Sequence, residues 1–409
     1  MSVKINIDRL IKRLDALGKI GKQEDGSNCR IALSCTDKEG RDLVVSWMKD
    51  LGLAVKIDAI GNIFGLRPGK TDGAPVMTGS HIDTVATGGK LDGNYGVLAG
   101  LEVVEALNDA GFETLRPLCV AVFTNEEGVR FTPDMMGSLV HAGGLFLEDA
   151  HAATDKDGVT LKTALSEIGY LGDLPCGAIQ PAAFVELHIE QGPVLEAQKK
   201  TIGVVESLQG ISWQGISIEG EANHAGTTPM DLRHDAGLAA ARIITFVREL
   251  GMSIKGQRGT VGSVTFHPDI VNVVPGKAVL EVDLRNADNT KLKAAEKSLA
   301  GFLQTLAIDE GVTISTWPLV RFDPVTFDGQ VAGLIEKSAH GLGFSHMRMT
   351  SGAGHDAQMM ARVAPAAMIF VPSIGGISHN GREDTKRTDL LAGAEVLMHT
   401  LLALANRHD

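Results

Sequence analysis

The chain is poor in several things at once, and each shortage closes off a class of protein. It has only 4 cysteines in 409 residues. Cys29, Cys35, Cys119 and Cys176 form no CxxC and keep no regular spacing, so neither a disulfide framework nor a thiolate zinc site is indicated. A reducing, cytoplasmic setting fits best. Positive charge is also short: 38 Lys and Arg stand against 50 Asp and Glu, a formal charge of −12. Nucleic acid or an anionic membrane would be met against an adverse field, so neither is an expected partner. No run approaches the roughly 18 apolar residues a membrane helix needs. The N-terminal segment spaces Ile5, Leu10, Ile11, Leu14 and Leu17 as a helix does, and shows no export signal. No GxSxG is present, so a serine nucleophile of that type is not expected.

What is present is an ordinary globular balance, 44% hydrophobic and 22% charged, with aromatics at only 4% and 48 glycines that point to many tight turns. The length suggests one large domain plus a smaller one. Apolar strands at Pro75–Ser80, Leu118–Thr124 and Ala183–His188, with a helix from about Gly96 to Ala110, read as a mostly parallel sheet flanked by helices. Beyond Leu208 the texture changes. Strand Ile211–Ile218, helix Asp235–Leu250, strands Gly259–Phe266 and Ala278–Arg285 around a turn-like VNVVPGK, helix Asn289–Ala307 and strand Val312–Trp317 give the order βαββαβ of a ferredoxin-like sandwich. Helix Gln330–Gly341 and strand Ala367–Val371 then return to buried-sheet texture. The expected fold is α/β: a discontinuous catalytic domain, 1–208 and 322–409, interrupted by an inserted α+β domain, 209–321.

Five short motifs carry candidate chemistry, most of them just past an apolar strand, where α/β sheets collect their ligand sites. Gly79-Ser80-His81-Ile82-Asp83 places His81 and Asp83 on one side of an extended chain, so that Asp83 could accept the second imidazole N–H. Alone, such a His-x-Asp is more often a surface turn. Asp92, ahead of an apolar-periodic helix, needs no more than an N-cap role. Asn125-Glu126-Glu127-Gly128 is harder to explain as decoration, because two adjacent carboxylates at the mouth of a buried strand repel one another and a cation would remove the conflict. Val185–Gly192 places Glu186, His188 and Glu190 on one face, and Ser378-His379-Asn380 follows the last strand. Together His81, Asp92, Glu127, His188 and His379 form a nitrogen and oxygen donor set suited to Zn²⁺, Mn²⁺, Co²⁺ or Ni²⁺ rather than to calcium or magnesium. One ion would be over-supplied. Two ions bridged by Asp92 would use all five and leave Glu126 as general base and proton shuttle.

The blocks GSHIDTV, LDGNYGVLAGLEV, FTNEEGVRF, ELHIEQGPVLE, NHAGTTPM, VNVVPGK, SGAGHDAQ and SIGGISHNG occur in that order, from about residue 79 to 381. In these the sequence resembles the hydantoinase/carbamoylase family of two-metal amidases. The resemblance implies a zinc-peptidase-like catalytic domain with an inserted lid and dimerisation domain, metal binding by the same five residues and catalysis by Glu126. It also implies a homodimer, and substrate contacts at Gln191, His224, Asn272, Arg285 and a backbone group at Gly354. For three of these the residues add support. His224 lies in a glycine- and threonine-rich turn with little core to serve. Asn272 lies in a loop bounded by Pro268 and Pro275. Arg285 alternates with Leu280, Val282 and Leu284, so it points to the polar face, where a guanidinium can grip a carboxylate or simply form a surface salt bridge. His224 would stabilise the oxyanion.

The activity so implied is hydrolysis of the ureido C–N bond of an N-carbamoyl-L-amino acid, a small carbamoyl carboxylate. Within the family, the run Glu126–Ser138 looks closer to carbamoylases than to allantoate amidohydrolases. Allantoate hydrolysis is the runner-up, with ureidoglycolate and β-ureidopropionate as related substrates. A dipeptidase would share the metal site, and a non-catalytic metal-binding protein would have no use for Glu126.

Overall fold

The computed structural model describes residues 3–407. It forms two compact units, one made of the residues up to Glu206 together with those from Phe327 on, the other of Ser207–Thr326. The boundaries thus fall at 206/207 and 326/327 rather than at 208/209 and 321/322. The return crossing comes later because the last long strand of the second unit runs on to Phe322.

The strands, in chain order, are β1 (Ala54–Ile57), β2 (Ile63–Arg67), β3 (Val76–His81), β4 (Leu118–Phe123), β5 (Ala183–Ile189) and β6 (Ile202–Leu208), then β7 (Gly210–Glu219), β8 (Asn223–His224), β9 (Arg258–His267), β10 (Val273–Val274), β11 (Lys277–Asn286) and β12 (Thr313–Phe322), and finally β13 (Val325–Thr326), β14 (His346–Ser351) and β15 (Ala366–Val371). The larger sheet has the order β1-β2-β4-β3-β5-β15-β6, with β14 and β13 against β6. Its centre, β4-β3-β5-β15, is parallel. The pairs β1 to β2, β2 to β4 and β15 to β6 are antiparallel, so the sheet is mixed around a parallel core.

The four central strands are covered on both faces, as is usual for parallel strands. Every residue of β3, β4, β5 and β15 is buried. Helix Asn94–Asp109, starting two residues before its expected onset, buries Tyr95, Val97, Leu98, Leu101 and Val104. Helix Arg387–Ala405 is long and apolar enough to cross a membrane by length and composition, yet 61% of that stretch is buried, and it serves as a core helix. Tyr95 fastens it by donating its hydroxyl to the Leu390 carbonyl at 2.6 Å. Helix Cys35–Asp50, capped by Ser34, carries the buried pair Arg41–Asp37, and Arg41 also donates to the Gly61 carbonyl at 2.7 Å. The N-terminal helix Ile7–Leu17 buries Leu10, Leu14 and Leu17, the apolar stripe of the sequence.

The second unit is a four-stranded sheet in the order β12-β7-β11-β9, antiparallel throughout. Helices Ala236–Ser253 and Asn289–Asp309, capped by Asp235 and Asp288, cover one face. Ile216, Ile218, Leu280, Val282 and Leu284 meet Ala239, Ile243, Val247, Leu292 and Leu299 in a separate core. The expected turn VNVVPGK contains a short strand of its own. β10 pairs with β8 in a two-stranded ribbon with Val273 opposite His224.

Candidate metal centre

Because β4, β3, β5 and β15 are parallel neighbours, their carboxyl ends share one edge of the sheet, and the sequence motifs converge there. His81 is the last residue of β3 and His188 the sixth of β5. Glu126 and Glu127 follow β4, Asp92 precedes helix Asn94–Asp109, and His379 follows β15. Asp92 sits in the middle. Its Oδ1 lies 3.1 Å from His188 Nε2 and 3.7 Å from His81 Nε2, while its Oδ2 lies 3.2 Å from His379 Nε2. His379 Nε2 is in turn 3.5 Å from Glu127 Oε2. The donors therefore fall into two triplets, His81–Asp92–His188 and Asp92–Glu127–His379, that share the one carboxylate.

Both buried imidazoles are oriented from behind. His81 Nδ1 lies 2.9 Å from the Asp83 carbonyl and His188 Nδ1 2.8 Å from the Ile189 carbonyl. A carbonyl can only accept, so each Nδ1 carries a proton and each Nε2 is turned toward the cluster, the orientation a metal ligand requires; His188 Nε2 there accepts the Gly93 N–H at 3.1 Å. The expected bond from His81 to the Asp83 carboxylate is not formed, the nearest approach being 3.8 Å. That carboxylate instead accepts the backbone N–H groups of Glu126 and Glu127 at 3.3 and 3.2 Å, which fixes the loop after β4. Gly93 completes the packing. Its φ is +65° and a Cβ there would stand 2.5 Å from His81 Nε2.

The electrostatics of the cluster suit a bound cation. Burial, then the charges of Asp356, Glu127, Asp92 and Asp83, hold the Glu126 carboxyl well above its usual range. Burial, then Asp92 and Asp83, do the same for Glu127. Burial opposes ionisation of Asp92, but bonds to His188 and His379 outweigh it and push its pKa well down. Burial alone would lower His188, yet Asp92 lifts it to about 9, whereas His81, farther from Asp92 and more dominated by burial, falls to about 4. Three clustered carboxylates, with imidazole Nε2 atoms turned toward them, suit two divalent ions, which would share Asp92. A third close group, Glu186–His188–His355, shares His188, and both Glu186 oxygens are engaged, by Ser80 Oγ at 2.6 Å and the Ala357 N–H at 2.7 Å.

Glu126 belongs to neither triplet. Its Oε2 lies 3.4 Å from His81 Nε2, at the rim of the cluster. Gln191, in the left-handed region at φ +56°, donates Nε2 to Asp92 Oδ2 at 2.8 Å. Gly354 precedes His355, whose ring packs 4.5 Å from that of His188. Glu190, expected on the same face as His188, serves a different end. It accepts the Val194 and Leu195 N–H groups, both at 2.7 Å, and caps a short turn of helix.

The other three candidates lie in the second unit. His224 is exposed, and its Nδ1 accepts the N–H groups of Gly226 and Thr227 at 3.0 and 3.2 Å. The proton is thereby held on Nε2, which is left as an outward donor. Asn272 adjoins it through its carbonyl, which accepts the Ala225 N–H at 2.9 Å. Arg285 is on the polar face, as its alternation predicts, where it lies over the Trp213 ring and grips Asp283 at 2.9 Å.

Sequence reasoning missed Asn125, Ser378 and Glu383. Asn125, at φ +56°, ties the loop after β4 by donating to the Phe131 carbonyl at 2.8 Å. An Asn before a Glu-Glu-Gly turn was the available signal for it.

The model of peptidase family M20/M25/M40 matches residues 77–403. The chain is 45% identical over 404 residues, 98% of its length and 97% of the relative's, to the N-carbamoyl-L-amino-acid amidohydrolase of Rhizobium meliloti. It is 35% identical to the allantoate amidohydrolase of Bacillus subtilis, over 99% of this chain and 98% of that one. A crystal structure of a hydantoinase/carbamoylase family amidase from Burkholderia multivorans superposes with a TM-score of 0.95 at 44% identity, covering both chains completely. The shared-aspartate cluster at the carboxyl ends of β4, β3, β5 and β15 and these full-length likenesses agree: the chain belongs to peptidase family M20/M25/M40 and, within it, to the hydantoinase/carbamoylase amidases.

Proposed function

We propose that the protein hydrolyses the ureido C–N bond of N-carbamoyl-L-amino acids, consuming one water and releasing amino acid, ammonia and carbon dioxide. The observation that carries this is full-length likeness to an N-carbamoyl-L-amino-acid amidohydrolase joined to a complete cluster at the sheet edge. His81, Asp92 and His188 would hold one divalent ion and Asp92, Glu127 and His379 the other. When bound, the ions would polarise the scissile carbonyl and make a water acidic. Glu126 then takes the proton of the attacking water on a carboxylate oxygen and passes it to the leaving nitrogen, a role open to it because it joins neither triplet. His224 donates from Nε2 to the developing oxyanion, and Gln191, Asn272 and the Gly354 backbone orient the ureido group. Arg285 selects for the substrate carboxylate by a bidentate grip.

Residues 207–326 act as the lid, and the protein works as a homodimer in the cytoplasm. Support for the lid is the division of labour. The metal candidates lie in one unit, while His224, Asn272 and Arg285, the substrate contacts the resemblance implies, lie in the other. The physiological ion is Zn²⁺, Mn²⁺, Co²⁺ or Ni²⁺.

The test is a panel of N-carbamoyl-L-amino acids, allantoate, ureidoglycolate, β-ureidopropionate and dipeptides, assayed for ammonia or amine release with each metal. The reading expects the highest kcat/KM on an N-carbamoyl-L-amino acid. A preference for allantoate would move the chain to the second reading, and release from dipeptides alone would overturn both.

A further inference from the structure

One buried carboxylate beside the cluster has no part in the chemistry just described. Glu383 is 5% exposed, in the loop four residues past His379. Its Oε1 accepts two backbone N–H groups, from Leu91 at 3.0 Å and Asp92 at 3.1 Å. Its Oε2 accepts the hydroxyl of Ser378 at 2.8 Å. A single side chain thus ties the segment that carries Asp92 to the residue immediately before His379. The fit is close, since the backbone at Gly89 leaves no room for a side chain against the Glu383 carboxylate.

The tie matters most for His379. Its imidazole is 50% exposed, whereas those of His81 and His188 are 2% and 1% exposed, so packing holds it least. Its backbone lies in the left-handed region at φ +53°, a conformation strained for a non-glycine residue unless neighbouring bonds hold it. The loop is closed at its base, where the Ile374 N–H meets the Asp384 carbonyl at 2.9 Å and the Thr385 hydroxyl meets the Pro372 carbonyl at 2.9 Å. Its tip is held by Glu383 through Ser378. Burial without ion pairing is a poor bargain for a carboxylate, and burial beside Asp92 lifts Glu383 to about 7. Its three accepted bonds give that burial a purpose.

We propose that Glu383 is a positioning residue that sets the spacing between Asp92 and His379, and through it the affinity of the site formed by Asp92, Glu127 and His379. This rests on the two-ion reading of the cluster. It joins two loops, one after β3 and one after β15, into a single ligand-bearing unit, with Gln191 as a weaker second bridge through Asp92 Oδ2 at 2.8 Å and Ser378 Oγ at 3.3 Å. The first triplet, His81–Asp92–His188, depends on it less, because both imidazoles are fixed by their own backbone carbonyls.

The experiment measures Co²⁺ binding to chelator-stripped protein, by competition with a chelating dye and by the visible absorption of the bound ion, for wild type, Glu383→Gln, Glu383→Ala and Ser378→Ala. Wild type is expected to bind two ions. Glu383→Ala should keep one ion and bind the second about 10–100-fold more weakly, the usual cost of losing a group that orients a ligand. Glu383→Gln should recover most of that loss, because its amide oxygen still accepts both N–H groups and its NH₂ can donate to Ser378 Oγ. Ser378→Ala, which cuts the link from Glu383 to His379 and with it the 3.3 Å bond that Ser378 Oγ accepts from Gln191 Nε2, should weaken the second ion and alter its absorption band while leaving the first ion's band in place. If Glu383→Ala does not fold, the Ser378→Ala result decides. Unchanged second-ion affinity in Ser378→Ala, or equal losses in the Gln and Ala variants, would overturn the proposal. Failure of wild type itself to take up two ions would instead remove the reading on which it stands.

Discussion

Glu126 and Glu127 are adjacent in sequence and nearly alike in burial, yet they face different partners. Glu127 turns Oε2 to His379 and anchors Oε1 on the Val85 N–H at 3.2 Å, while Glu126 reaches toward His81 and joins no triplet. That difference is why the proposal gives one the role of ligand and its neighbour that of base. Glu126→Gln keeps the shape and deletes the base. It is expected to lower kcat by about 10²–10⁴-fold while the protein still binds two ions by elemental analysis. Activity within a few-fold of wild type would remove Glu126 from the chemistry. Arg285 poses a different question, because its guanidinium already grips Asp283. If it also selects the substrate carboxylate, Arg285→Lys should lower kcat/KM for an N-carbamoyl amino acid about 10–100-fold, the worth of a lost charged hydrogen bond. The loss should largely vanish with the corresponding carboxamide, and equal losses on the two substrates would make the residue structural.

At the scale of elements, the parallel order β4-β3-β5-β15 explains why four separate motifs meet. This much was legible in the sequence. Continuous apolar strands ending in His, Asp or Glu can be recognised one by one, and the βαββαβ order of the second unit follows from alternation and helix periodicity. Features set by three-dimensional approach were not legible. The β8–β10 ribbon is two residues wide and leaves no periodicity. Asp83 was expected to orient His81 through its carboxylate, but the chain turns so that its carbonyl does so and its carboxylate holds the next loop. Glu383 lies in a polar run, Gly381-Arg382-Glu383-Asp384, where nothing local distinguishes a buried acid from a solvated one. Gly93 gives the clearest test of the packing argument. Gly93→Ala must place a Cβ against the His81 ring and hold an alanine at φ +65°. The backbone alone should cost about 1–2 kcal/mol, and displacement of His81 should weaken the ion at the His81–Asp92–His188 triplet. A variant with unchanged Tm and unchanged metal affinity would show that the loop has more room than the structure allows it.

At the scale of the whole molecule, the proposed homodimer is open to a direct test. In a homodimer whose sites are completed across subunits, the inactive variants Glu126→Gln and His224→Ala should complement each other on mixing, because one mixed site regains an intact Glu126 and an intact His224. Recovery should stay well below wild type, since only one of two sites is whole. No recovery after mass spectrometry has verified subunit exchange would confine His224 to its own chain. The central claim, a hydrolase whose turnover depends on two ions sharing Asp92, is tested most directly by metal titration. Chelator-stripped protein is titrated with Mn²⁺ or Co²⁺, while ammonia release from an N-carbamoyl-L-amino acid and bound metal are measured on the same samples. Turnover is expected to be absent in the stripped protein and to saturate at two ions per chain. Saturation at one ion, or undiminished turnover without metal, would contradict it.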